Sequence, residues 1–215
     1  MSVQAKICGI NAPDAMRAAV DGGVDFVGLV FYPPSPRHVT PAQAADLAAA
    51  APPAVMRVGL YVDAEDAVFE ATVRRAGLGL LQLHGAEPPA RVRALKEAFG
   101  VPVMKVVRVA AAEDLAAAEP YLGVADRLLF DAKPPREMAN ALPGGNALAF
   151  DWQLIAGRRW PCPWMLSGGL TAANLAEAVR ISGAGAVDVS SGVEDAPGRK
   201  SALKIAAFLA AAKGL

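Results

Sequence analysis

Asp25-Phe26-Val27-Gly28-Leu29-Val30-Phe31 is an almost continuous apolar run. Such a run suits a strand covered on both faces, as in a parallel sheet flanked by helices. A Pro-rich loop follows, Tyr32 to Val39, and then Thr40-Pro41-Ala42-Gln43. Thr40 is a helix N-cap, Pro41 takes the first helical position, and Gln43 completes a capping box. Strand therefore feeds helix, and the same unit recurs in both directions along the chain.

Toward the N-terminus, strand one covers Gln4–Gly9; Asn11 caps a helix with Pro13 in its first turn and Asp14 at the capping-box position. Toward the C-terminus, strand three is Ala54–Val62, and Asp63 caps a helix running to about Ala76. Strand four, Gly79–Leu83, closes on His84-Gly85, and helix four spans Pro88–Phe99. Strand five is Val101–Val109, helix five Ala112–Glu119, and strand six Asp126–Phe130. A longer loop rich in Pro and Gly runs from Asp131 to Ala149, and Asp151–Ala156 starts helix six. Strand seven is Trp164–Leu166, Thr171 caps helix seven, strand eight is Ala186–Val189, and helix eight runs from Ser201 to Ala212.

Eight strands alternating strictly with eight helices imply parallel strands with helical crossovers. An open doubly wound sheet and a closed (β/α)₈ TIM barrel both satisfy that alternation. No GxGxxG follows strand one and no Walker loop appears, so the prediction is an α/β fold, a closed barrel. The chain has 215 residues, enough for one sizeable core, and no linker divides it, so residues 1–215 are read as a single catalytic domain.

Composition narrows the function classes. Apolar residues make up 54% and charged residues 20%, which excludes a disordered chain. Lys+Arg and Asp+Glu are both 21, so nothing indicates a nucleic-acid surface. No apolar run reaches membrane-spanning length, and the N-terminus has no apolar leader. The two cysteines, Cys8 and Cys162, make no disulfide framework, and with two histidines and no HxH or CxxC no metal site is expected. A reducing, cytoplasmic setting and a cofactor-free chemistry follow as expectations. The residues leave monomer or homodimer open.

Barrel active sites lie at the C-terminal ends of the strands. Polar residues there are Cys8, Arg37 in the following loop, Asp63, His84, Arg108, Asp131, Ser167, Asp188 and Ser190. Ser167-Gly168-Gly169 and Ser190-Ser191-Gly192 follow strands seven and eight. Loops at these two strands often hold phosphate through backbone N–H groups, and glycine allows close approach; each alone reads equally as an ordinary turn. Cys8 is either a small buried apolar side chain or a thiolate base or nucleophile activated by nearby positive charge. Asp131 closes the run Leu128-Leu129-Phe130, where desolvation favours the protonated form and suits a general acid. Arg37 is a bidentate carboxylate ligand or a surface arginine. His84 is a substrate contact or a strand-end histidine. Asp188 binds substrate hydroxyls or pairs with Lys105 or Lys6.

With these residues assembled, the chain resembles the phosphoribosylanthranilate isomerase family of tryptophan biosynthesis over its full length. The resemblance rests on Lys6-Ile7-Cys8-Gly9-Ile10, Phe31-Tyr32-Pro33-Pro34-Ser35-Pro36-Arg37, Gln82-Leu83-His84-Gly85, Leu129-Phe130-Asp131, Phe150-Asp151-Trp152, Leu166-Ser167-Gly168-Gly169-Leu170 and Val187-Asp188-Val189-Ser190-Ser191-Gly192-Val193-Glu194. It implies an Amadori rearrangement of N-(5-phosphoribosyl)anthranilate without metal or cofactor. By the same resemblance Asp131 is the general acid, Cys8 the general base, and Arg37 faces the anthranilate carboxylate. One motif departs: where the family usually carries Gly-Gly-Thr/Ser-Gly before Phe-Asp-Trp, this chain reads Gly144-Gly145-Asn146-Ala147. Two other readings compete. A Schiff-base lyase would use Lys105 or Lys133, and a non-catalytic barrel would bind phosphorylated metabolites without turning them over.

Overall fold

A computed structural model describes residues 3–135, 138 and 142–215. Residues 1 and 2, which belong to the N-terminal segment read for a leader, and residues 136, 137 and 139–141 of the long loop after strand six lie outside the described residues. Eight parallel strands close into a barrel: β1 (Gln4–Cys8), β2 (Phe26–Val30), β3 (Met56–Tyr61), β4 (Leu80–Leu83), β5 (Val103–Val109), β6 (Arg127–Ala132), β7 (Trp164–Leu166) and β8 (Ala186–Val189). Closure is made by β1 against β8, with Lys6 opposite Asp188. Among the described residues, no helix is long and apolar enough to cross a membrane.

Side chains alternate across each strand, so one register fixes which face every residue presents. Phe26, Val58, Leu80, Met104, Leu129, Met165 and Ala186 form a buried apolar layer inside the barrel. Two residues further along each strand, the inward positions are Gly28, Leu60, Gln82, Val106, Asp131, Ser167 and Asp188. On β1 the same face carries Lys6, opposite Phe26, and Cys8, opposite Gly28. The inward series thus turns from apolar at the bottom to polar at the top. The outward series, with Ile7, Val27, Leu29, Leu81, Leu83 and Leu128, packs under the helices.

The surrounding ring is less regular than the alternation predicts. Among the described residues there are six α-helices: α1 (Pro13–Asp21), α2 (Pro41–Ala49), α3 (Asp66–Thr72), α4 (Pro89–Phe99), α5 (Leu175–Ser182) and α6 (Ala202–Lys213). Helix five is instead a 3₁₀ segment, Ala112–Tyr121, where Pro120 cannot continue an α-helix and Asp114 takes the N–H groups of Ala110 and Ala111. Helix six is a single 3₁₀ turn, Trp152–Leu154, begun by Asp151 accepting from Gln153 and followed by Gly157 at φ 67°. Phe130 packs against Trp160 with the rings tilted by 39° and against Trp164 edge-on.

The expected caps divide. Thr40 and Gln43 make the full capping box. Asn11 does not cap α1; its amide donates to the Gly198 carbonyl, and Ala12 holds the cap position. Asp63 does not cap α3 either. It sits at φ 47°, and its carboxylate accepts from the Ala86 N–H at 2.7 Å, so the helix begins three residues later. Thr171 and Asn174 exchange hydrogen bonds, but α5 starts one turn beyond Thr171. A short hairpin that the sequence reading lacks, β9 (Glu194–Ala196) and β10 (Arg199–Lys200), projects after β8.

Candidate active site

The inward polar residues open into a cleft of about 740 Å³, its open mouth included, at the C-terminal ends of the strands. Cys8, Arg37, His84, Asp131 and Asp188 all border it, as do the loops at Gly168-Gly169 and Ser190-Ser191-Gly192. Of the polar strand-end residues in the sequence reading, Cys8, Arg37, His84, Asp131, Ser167, Asp188 and Ser190 are therefore brought to one place. Arg108 does not reach it and donates to the His84 carbonyl at 2.6 Å; Asp63 belongs to the neighbouring loop. Among the described residues, no three His, Cys, Asp or Glu side chains are placed to share a metal ion.

Cys8 sits over a buried ion pair. Lys6 Nζ lies 2.8 Å from Asp188 Oδ1, and Asp188 Oδ2 accepts from Ser167 Oγ at 3.1 Å. Asp188 thus pairs with Lys6, one of its two expected cations; Lys105 is on the outward face of β5. Gly28 makes the arrangement possible. A Cβ there would lie 3.0 Å from Cys8 Sγ and 3.1 Å from Lys6 Nζ. Burial pushes the Cys8 thiol above its ordinary value, and the Lys6 charge offsets this only in part. Burial pulls Lys6 down, but Asp188 and Cys8 outweigh it and leave the ammonium above its ordinary value. The expected activation of Cys8 by positive charge is present as geometry, yet the resting group is a thiol.

Across the barrel, Asp131 Oδ1 accepts from the Ala132 N–H at 2.9 Å, and Oδ2 lies 3.4 Å from His84 Nε2 without hydrogen-bond geometry. Among the described residues, His84 Nε2, just past the end of β4, and Gln82 Oε1 on that strand are buried and have no hydrogen-bond partner. Residues 144 and 145 of the loop after β6 lie over His84, Asp131 and Arg37. A Cβ at Gly144 would come within 2.7 Å of Asp131 Oδ2, and one at Gly145 within 2.6 Å of Arg37 Nη1. Asn146 closes the loop on itself, donating to the Leu142 carbonyl and accepting from the Leu142 N–H.

Ala147, the departure from the usual motif, adopts φ 57°, a left-handed conformation that glycine takes without steric strain. For an alanine this costs about 1–2 kcal/mol. Ala147→Gly should raise the Tm by a few degrees at most, since the greater freedom of an unfolded glycine offsets about 0.4–1 kcal/mol of the relief. Ala147→Val should lower it. Thermal unfolding of the two variants checks this, and a valine variant as stable as the parent contradicts the left-handed assignment.

Arg37 is 4% exposed, with its stem lying over Gly9. Its Nε and Nη2 each donate to Glu194 at 2.8 Å, and Nη2 also reaches the Gly145 carbonyl. The surface reading of Arg37 is thereby excluded, and Nη1 is the corner left beside the loop at Gly145. Lys200 donates to the same Glu194 at 2.8 Å and to the Ser190 carbonyl at 2.9 Å. Burial would raise Glu194, but its hydrogen bond from Arg37 and the Lys200 charge hold it below the usual carboxylate range.

Gly168 and Gly169 have φ 90° and 61°, and their N–H groups donate to no carbonyl or side chain among the described residues. Ser191 and Gly192 begin a 3₁₀ turn, where the first N–H groups have no acceptor within the turn. A Cβ at Gly192 would overlap the Leu170 carbonyl oxygen, so the two loops are packed backbone to backbone.

Lys105 answers the Schiff-base alternative. Its ammonium is turned outward and caged by the Leu83 and Gly85 carbonyls and by Glu87 at 2.7 Å. Lys133 pairs with Asp114 outside the cleft. Sequence reasoning missed Glu87, Lys200 and the role of Gly28. Gly28 did carry a signal, since an isolated glycine within a strand marks a close approach. Lys200 carried none, because the hairpin that aims it has only a few residues.

Comparison with known proteins gives one consistent result. A family model described as N-(5'-phosphoribosyl)anthranilate (PRA) isomerase matches residues 5–211. The N-(5'-phosphoribosyl)anthranilate isomerase of Paramagnetospirillum magneticum is 61% identical over 214 residues, covering 100% of this chain and 99% of that one. A solved phosphoribosyl anthranilate isomerase in complex with reduced 1-(o-carboxyphenylamino)-1-deoxyribulose 5-phosphate superposes with a TM-score of 0.84 at 35% identity, covering 99% of this chain and 100% of that one. Monomers generated from the dimeric isomerase of Thermotoga maritima give 0.82 at 35% identity, covering 99% and 100%.

Proposed function

This chain belongs to the N-(5'-phosphoribosyl)anthranilate (PRA) isomerase family, and on that footing we propose how residues 1–215, acting as one catalytic domain, carry out the reaction. It isomerises N-(5'-phosphoribosyl)anthranilate to 1-(o-carboxyphenylamino)-1-deoxyribulose 5-phosphate in tryptophan biosynthesis, an aldose–ketose (Amadori) rearrangement. The observation that carries the residue assignment is the placement of Cys8 and Asp131. Both sit at inward positions at the tops of β1 and β6 and face one cleft.

Asp131 gives its proton to the ribose ring oxygen as the bond from that oxygen to C1' breaks, and the anthranilate nitrogen lone pair forms a protonated Schiff base. Cys8, as thiolate, removes the C2' proton, and the C–H electrons form the C1'=C2' double bond of an enolamine. The proton returns to C1', and the C2' hydroxyl proton leaves to restore Asp131, giving the ketone. The Schiff-base cation adds positive charge beside the thiol, where Lys6 alone offsets the effect of burial only in part. Arg37 turns its free corner to the anthranilate carboxylate, His84 and Asp188 border the ribose, and the N–H groups around Gly168-Gly169 and Ser191-Gly192 take the phosphate. Each of these residues comes from one chain, so monomer and homodimer alike contain a whole site. Free Cys8 and Cys162 support a reducing, cytoplasmic setting.

The test is turnover of freshly made N-(5'-phosphoribosyl)anthranilate, followed by fluorescence across pH. The active form needs the carboxyl protonated and the thiol ionised together. Its population is level between the two macroscopic pKa values and falls on either side. Because burial raises the thiol, the alkaline fall of kcat/KM should lie above the ordinary thiol value of about 8.5. An alkaline fall below that value speaks against Cys8 as the base, and absence of turnover speaks against the whole reading.

A further inference from the structure

Glu194 does not line the cleft, yet it is the point where the Arg37 loop and the segment after β8 meet. One carboxylate oxygen accepts from Arg37 Nε and Lys200 Nζ, the other from Arg37 Nη2 and, at 3.3 Å, the Gly198 N–H. Lys200, with its side chain 1% exposed, spends its remaining hydrogen bonds on the Ser190 carbonyl and hydroxyl. The hairpin itself is wedged against the Arg37 loop. Gly198 has φ 79°, and a Cβ there would lie 2.5 Å from the Pro36 carbonyl oxygen.

We propose that Glu194 is a positioning residue that fixes the distance between the carboxylate-binding arginine and the phosphate-binding loop. Through Arg37 it holds the guanidinium with one corner free. Through Lys200 it holds Ser190, and with it the start of the loop at Ser191-Gly192. Three buried charges, two positive and one negative, leave one positive charge over, and Arg37 can present it to an anion. A substrate carrying a carboxylate at one end and a phosphate at the other is measured against this span. The proposal rests on the reading of Arg37 given above.

Two probes separate the ends of the span: anthranilate for the arginine and inorganic phosphate for the loop, each read as a competitive inhibitor. Glu194→Gln keeps the size and one acceptor. It should weaken both inhibitors and raise KM about tenfold or more, the scale of one charge-assisted hydrogen bond, while kcat changes far less. Lys200→Met should weaken phosphate alone, and Arg37→Met anthranilate alone. The double variant Glu194→Gln/Lys200→Met removes one of the charges stranded by the single change, so a folded protein is read even if the single variant is unstable. Unchanged inhibition by both probes in a folded Glu194 variant overturns the proposal and assigns Glu194 to stability only. Unchanged anthranilate inhibition in Arg37→Met overturns the Arg37 reading instead.

Discussion

Asp131→Asn and Cys8→Ser are each expected to lower kcat by roughly 10²–10⁴-fold, the usual contribution of one positioned acid or base. The asparagine variant should fold as the parent does. The described hydrogen bond to the Asp131 side chain is accepted from Ala132, and an amide oxygen can also accept it. What disappears is the transferable proton. Cys8→Ser preserves the shape of a group pressed between Gly28 and the Lys6–Asp188 pair. A site that already pushes a thiol above its ordinary value holds an alcohol still more firmly in its neutral form. Steady-state kinetics with circular dichroism as the control checks both variants. Turnover within about threefold of the parent in either, far below the contribution expected of an acid or base, removes that residue from the proton transfers.

Gly192→Ala should produce the second largest effect, on KM. The added methyl would overlap the Leu170 carbonyl oxygen, so the loops after β7 and β8 must part. Phosphate is then held by one loop at most. Losing a single hydrogen bond to a charged group weakens binding by roughly 1.5–3 kcal/mol, about ten- to a hundredfold in KM. Inhibition by inorganic phosphate should fall in parallel. Gly185→Ala is the control, since a Cβ there meets nothing within 4 Å. Equal KM and equal phosphate inhibition in a folded Gly192→Ala protein would mean that phosphate binds elsewhere.

The barrel was legible because its signals are local. Apolar runs such as Phe26–Val30 and the Thr40 capping box each report on a few neighbouring residues. The strands could be counted, and the rule that barrel sites lie at strand C-termini then located Cys8, Asp131 and Asp188. Helices five and six were misread because Pro120 and Gly157 act at their ends, while the expectation came from strict repetition. Asn11 looked like a cap because its spacing was right; its amide is claimed by Gly198, far away in sequence. The same limit hid the pairing of Arg37 with Glu194, whose separation of 157 positions leaves no local trace.

The buried Lys105–Glu87 pair also bears on how such barrels exchange parts. Glu87 Oε1 accepts the N–H groups of Asp63 and Gly85, while Lys105 binds the Leu83 and Gly85 carbonyls. The loops after β3 and β4 are thereby sewn to a side chain of β5. Replacing the loop after β4 alone with a segment from another barrel strands the Lys105 charge, and a replacement for the loop after β3 must still offer an N–H to Glu87. The loop across the cleft closes through Asn146 on its own Leu142. It has ties beyond itself as well, since the Gly145 carbonyl accepts from Arg37 and the backbone of Leu148 and Ala149 lies against Gly168 and Gly169, so a graft on that side must keep those approaches.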